Sequence, residues 1–193
     1  MSTLIFIFCI MAFPVEAQEG LNGLAEVELA ALSHHDTSVF AQKALSLHPE
    51  QWKHAETEHF IYHFVRGFVA SRVAVEAEFY FRFIAKQLGR EEPARPPKSH
   101  IYIFDRDEDW AQFQTVGSLE QWTGGIQHEG SLFLLRNPAY KFSDNTLGHE
   151  IAHLMLHRYY GRNVPLWLNE GFAEYVSRAG YASFHRARGY KAK

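Results

Sequence analysis

The stretch that most constrains this chain is DNTLGHEIAHLMLHRYYG, residues 144–161, and within it His149-Glu150-Ile151-Ala152-His153. This is HExxH, two histidines four residues apart with a glutamate after the first. On a helix of about 3.6 residues per turn the two imidazoles project from one face, roughly one turn apart. Zinc takes imidazole nitrogens at about 2.0–2.1 Å, and two stacked imidazoles can meet that demand. Glu150 falls about 100° round from His149, on the flank of that face. It is placed to take a proton from a metal-bound water rather than to bind the metal. Leu147, Ile151, Leu154 and Met155 cover the opposite side, which predicts that this side packs into the core. Ser143 or Asp144 can cap the start of the helix, and Gly161 can end it in the left-handed region.

Two histidines do not complete a site. His157 continues the i, i+4 series, but it sits about 12 Å along the axis from His149, so one ion cannot be held by all three. It is expected at the rim or surface. The longer pattern HExxHxxGxxH fails, because Leu156 and Tyr159 stand where glycine and histidine are required. A third ligand therefore comes from elsewhere. The next segment, Val164-Pro165-Leu166-Trp167-Leu168-Asn169-Glu170-Gly171-Phe172-Ala173-Glu174-Tyr175, reads as a new helix with Pro165 in its first turn. Glu170 and Glu174 share a face of it. Two carboxylates on an otherwise apolar stretch need partners if buried, and a metal with its histidines would supply them.

HEIAH followed by PLWLNEGFAEY resembles the gluzincin metallopeptidases. It is most similar to the peptidase MA-like group, and to the aminopeptidase-N family in the WLNEGFA stretch. The resemblance is specific over residues 143–178. Upstream it is looser: WKHAETEHFIYHF, a long helix and KSHIYIFDRDEDW follow the order of a peptidase MA-like domain. The resemblance implies that Glu170, the glutamate of the N-E-G triplet, is the third zinc ligand beside His149 and His153. The spacing from His153 to Glu170 is slightly shorter than in aminopeptidase N, which favours the peptidase MA-like assignment. In gluzincins an edge strand shortly before the zinc helix pairs with substrate backbone. That implies the same role for Gly124, Gly125, Ile126 and Gln127 here, adding a peptide as a strand; an ordinary bulged hairpin is the other reading.

The chain is long enough, at 193 residues, for one domain with a sizeable core. Its 47% hydrophobic content excludes disorder as the default, and a net charge of −3 gives no reason to expect nucleic acid as a partner. Residues 4–13, LIFIFCIMAF, are too short to span a bilayer and suit the apolar region of a signal peptide over residues 1–17, cleaved after Ala17. A secreted or periplasmic protein with no stable membrane span after cleavage is the expectation. Cys9 is the only cysteine, so the mature chain has no thiolate, and any metal site must be built from histidine and carboxylate.

The remaining pattern predicts an α+β fold: a small mixed or antiparallel sheet, a backing helix, then the HExxH helix and the third-ligand helix. Residues 18–56 are expected as a helical N-terminal segment. It holds two short helices, the second capped by Asp36 or Thr37 and stopped at His48-Pro49. The resemblance implies a peptidase MA-like domain over residues 57–180, and residues 181–193 are expected as a basic tail that frays. Within the domain, TEHFIYHFV (57–65) alternates as a strand, with His59 and His63 on one side. Residues 68–88 form an amphipathic helix, with Glu76 and Glu78 in solvent. SHIYIF (99–104) is a second strand, followed by a helix capped by Asp105 or Asp107. Residues 121–136 form a hairpin that turns at Glu129-Gly130.

The function expected is zinc-dependent hydrolysis of peptide bonds in a peptide or protein substrate. Zn²⁺ lies on His149, His153 and Glu170, with Glu150 as general base. Glu174 accepts from a ligand imidazole N–H. An oxyanion donor is sought among Tyr175, Tyr181 and His128. The competing expectation is a non-catalytic, zinc-bearing domain that holds peptides on the same scaffold. Oligomeric state is not encoded in any motif.

Overall fold

A computed structural model describes residues 24–90, 97–138, 145–161 and 163–189. The expected signal peptide and the expected capping positions Ser143 and Asp144 lie outside the described residues. The elements follow in chain order: β1 (Glu26–Val27), α1 (Val39–Ser46), β2 (Lys53–Glu56), β3 (Phe60–Phe64), α2 (Gly67–Gln87), β4 (Ser99–Phe104), α3 (Asp107–Gly117), β5 (Gly125–His128), β6 (Ser131–Leu135), α4 (Thr146–Tyr160) and α5 (Leu166–Ala187).

The strands make one mixed sheet in the order β1-β2-β3-β4-β6-β5. β3, β4 and β6 run parallel at its centre, and antiparallel partners flank them. Phe60, Tyr62, Phe64, Ile101, Ile103, Leu132 and Leu134 face α2, α4 and α5 in one core. Tyr102, Phe104 and Phe133 face α1 and α3 in a second. With helices on both sides, β3 and β4 are buried at every position. That is why β3 and β4 carry large side chains on both faces.

The α+β architecture, the long α2, the β5–β6 hairpin and the α4–α5 pair match the sequence expectations. The hairpin turns at Glu129 (φ 49) and Gly130 (φ 90), the two positive-φ positions that a tight two-residue turn needs. Other elements differ. Residues 24–50 contain one α-helix, not two: β1 and a 3₁₀ turn at Leu29–Ala31 replace the first. β1 exists because β2 pairs with it, Glu26 opposite Ala55 and Val27 opposite His54. No local periodicity could announce such a pairing. The cap of α1 is Ser38, whose side chain accepts from the Ala41 N–H; Asp36 instead accepts from the Ser38 N–H. α3 has no side-chain cap, and Asp105 instead accepts from Arg66 Nε at 2.7 Å. The expected basic tail is helical as far as Ala187. Glu78 is buried rather than solvated: it accepts from Thr57 Oγ1 and the His59 N–H and lies 2.6 Å from His59 Nδ1. No helix among the described residues is long and apolar enough to cross a membrane.

The close packing of α2, α4 and α5 depends on Tyr80. Its ring occupies the space that a Cβ would need at both Gly148 on α4 and Gly180 on α5. Its hydroxyl reaches the Ser177 carbonyl at 3.4 Å. This wedge sets the spacing of the two helices that carry the site.

Candidate metal centre

α4 buries Leu147, Ile151, Leu154 and Met155 in the core, as its apolar spacing requires. His149 and His153 consequently point to the flank that α5 covers. α5 starts at Leu166, with Pro165 just ahead of it as the N-cap residue, where a missing N–H costs nothing. Its first turns are exposed, with Leu166, Trp167 and Leu168 in solvent. Glu170 and Glu174 are half-exposed and face α4 across the cleft.

His149 Nε2 and His153 Nε2 lie 3.0 Å apart. The Glu170 carboxylate reaches both, with Oε2 3.5 Å from His149 Nε2 and Oε1 3.7 Å from His153 Nε2. One ligand atom from each of the three residues falls within 4.8 Å of the others. Donors on a tetrahedral zinc are about 3.3 Å apart, given metal–nitrogen bonds near 2.0–2.1 Å. The donor set and its spacing fit a divalent ion of that kind. His153 Nδ1 faces Asn169 Oδ1 at 3.0 Å. An amide oxygen only accepts, so Nδ1 carries the proton and Nε2 keeps its lone pair for a metal. His149 Nδ1 faces Glu174 Oε2 at 3.8 Å, an ion-pair rather than a hydrogen-bond distance, and Arg178 binds the other oxygen of Glu174.

Glu150 is only 9% exposed. Burial pushes its carboxyl up to about 7; the Gln127 backbone N–H opposes this and the nearby Glu170 charge adds to it. His153 is lowered by burial, with Asn169 opposing.

β5 is the edge strand beside this site. The Leu135 N–H donates to the Gly124 carbonyl, and Gly125 stands opposite Leu134. The alternation of an antiparallel pair then turns the backbone groups of Gly124, Ile126 and His128 towards β6, and those of Gly125 and Gln127 towards α4. Of the four residues expected to form a substrate edge, two therefore present their backbone to the cleft. Gly125 has no room for a side chain: an added Cβ would meet Leu134 and Thr146 at 2.8 Å and Glu150 Cγ at 3.3 Å.

His157 lies farther along α4, with Nδ1 3.0 Å from Gln127 Oε1. The suggested oxyanion donors are not gathered at the cluster. His128 stacks on Phe40 at 4.1 Å, Tyr181 packs on His185, and Tyr175 is exposed. Sequence reasoning missed Asn169, the Gln127 N–H and Tyr80. Only Asn169 carried a signal, its place directly before Glu170.

In comparisons with known proteins, no family model and no curated relative matches the chain.

Proposed function

We propose that this protein is a zinc-dependent metallopeptidase. The observation that carries the reading is the convergence of the Glu170 carboxylate on the paired Nε2 atoms of His149 and His153, with the buried Glu150 carboxyl beside them. His149, His153 and Glu170 would hold the ion. Zinc bound there would supply Lewis acidity, polarising a carbonyl and lowering the pKa of water towards about 7.

The chain's own residues do the rest. An extended peptide adds to the β5 edge through the Gly125 backbone and the Gln127 carbonyl, which aligns its carbonyls along α4. Glu150, with a pKa near neutrality, takes a proton from the attacking water as the new C–O bond forms. It returns that proton to the amine nitrogen as the C–N bond breaks. Asn169 holds the His153 ring so that the geometry is set before substrate arrives.

The test is paired. Purified protein is assayed for zinc content and for cleavage of unstructured peptides. Glu150→Gln should keep its zinc and lose activity by about 10²–10⁴-fold. Glu170→Ala should lose the zinc. Undiminished cleavage in the first variant removes the general base, and undiminished zinc in the second removes the third ligand.

A further inference from the structure

β5 meets α4 along one stripe of the helix. At about 100° per residue, Thr146, Glu150 and His157 fall within about 40° of one another round its axis. Strand alternation sends Ile126 and His128 to the second core, where His128 stacks on Phe40, and turns Gly125 and Gln127 to α4. Gly125 has no side chain and lies against Thr146 and Glu150. Gln127 therefore carries the one side chain of β5 on the α4 side.

Gln127 holds α4 at two places. Its backbone N–H donates to the Glu150 carboxylate, and its side-chain Oε1 lies 3.0 Å from His157 Nδ1. An amide oxygen only accepts, so His157 Nδ1 is the donor. Both side chains are half-buried and border a cavity of about 970 Å³. With open space beside them, the hydrogen bond rather than close packing fixes the Gln127 side chain. β5 has four residues and pairs with β6 on one side only, so its hold on α4 sets where its free edge runs. The end of α4 is itself tied down. Arg158 Nη2 donates to the Pro97 carbonyl and to Ser99 Oγ at the start of β4, each at 3.0 Å. His157 thus stands on a stretch of helix that is anchored to the sheet.

We propose that His157 is a positioning residue: through Gln127 it fixes the β5 edge against α4, and with it the direction of the Glu150 carboxylate. The catalytic consequence rests on the peptidase reading, whereas the tether itself does not. A carboxylate has two oxygens, and a strand N–H that is held in place engages one of them. The other is then aimed for the proton transfer. The same tether places the Gly125 backbone and the Gln127 carbonyl, on which a substrate strand would pair. His157 acts through Gln127 and supplies no group to the reacting atoms. Small displacements suffice for a large effect, because a shift of about 1 Å in a reacting group costs up to about 100-fold in rate.

The experiment compares three variants of the full chain. His157→Leu keeps apolar bulk and removes the N–H. His157→Asn keeps an N–H close to the place of Nδ1. Gln127→Leu removes the acceptor but keeps the backbone N–H, and it carries the test if His157→Leu does not fold. The first readout is amide hydrogen exchange at residue 127 by NMR, which needs neither zinc nor activity. Protection there should fall about 3–10-fold in His157→Leu and Gln127→Leu, and return in His157→Asn. The second readout is peptide cleavage at saturating zinc. His157→Leu should lower kcat about 10–100-fold with KM changed less, and His157→Asn should restore it. Unchanged protection in His157→Leu overturns the tether. An unchanged kcat, or a loss that His157→Asn does not restore, overturns the positioning role. A wild-type protein that cleaves no peptide but shows the exchange pattern upholds the tether and removes the peptidase reading instead.

Discussion

His153 Nδ1 and Asn169 Oδ1 lie 3.0 Å apart, joining a histidine of the α4 pair to the residue directly before the Glu170 carboxylate of α5. One short contact thus orients His153 and fixes where Glu170 begins its reach. Asn169→Ala removes the acceptor without removing a ligand. Zinc affinity, measured by competition with a chromophoric chelator, should fall about 10–100-fold. Unchanged affinity would mean that the ring is held by packing alone.

Gly148 is the neighbour of His149, and its lack of a side chain admits the Tyr80 ring. Gly148→Ala forces the ring or the helix to move. Overpacking of this kind costs about 1–3 kcal/mol. Urea unfolding should report that loss, and zinc affinity should fall with it, because α4 cannot shift without carrying His149 away from Glu170.

Gly125→Ala places a methyl between β5 and α4, against Leu134, Thr146 and Glu150. The strand must retreat from the helix. Peptide cleavage should drop more than zinc content, since the disturbed groups are the edge backbone and the Glu150 carboxyl, not the ligands. A loss of zinc in proportion to activity would contradict the edge-strand reading.

Glu78 gives the fold a pH dependence remote from the metal centre. Burial raises its carboxyl, but the hydrogen bonds from His59 and Thr57 outweigh this and leave it below its ordinary value of 4.5. A carboxyl whose pKa is lower folded than unfolded contributes stability that is present above about 4.5 and is lost as pH falls through the folded value. Glu78→Gln should cost about 1–3 kcal/mol at neutral pH and much less in acid. Unfolding curves at pH 7 and pH 3 measure the difference.

The strands β1 and β2, which replace parts of the expected helical segment 18–56, and the buried acid Glu78 share a cause. Leu24, Val27 and Ala31 recur at helical spacing, yet β1 owes its form to pairing with residues nearly thirty positions away. Glu78 sits among the residues of an amphipathic helix as any solvated acid would; its partners Thr57 and His59 lie some twenty positions upstream. The spacing of α4, by contrast, carries its own instructions. An apolar residue every three or four positions determines which side enters the core, and the same spacing leaves His149 and His153 together on the other flank.

The sequence alone therefore determined the α+β class, the helix that carries the two histidines, the helix that carries Glu170 and the hairpin turn, because each follows from a local period or a local backbone demand. Tertiary structure decided which atoms meet: Asn169 against His153, Gly125 and Gln127 turned to the cleft, Glu150 buried to a pKa near 7, and His157 against Gln127. Those outcomes depend on how far apart packed elements sit and on which strand edges remain open. Side chains distant in sequence, such as Tyr80 between Gly148 and Gly180, set those distances.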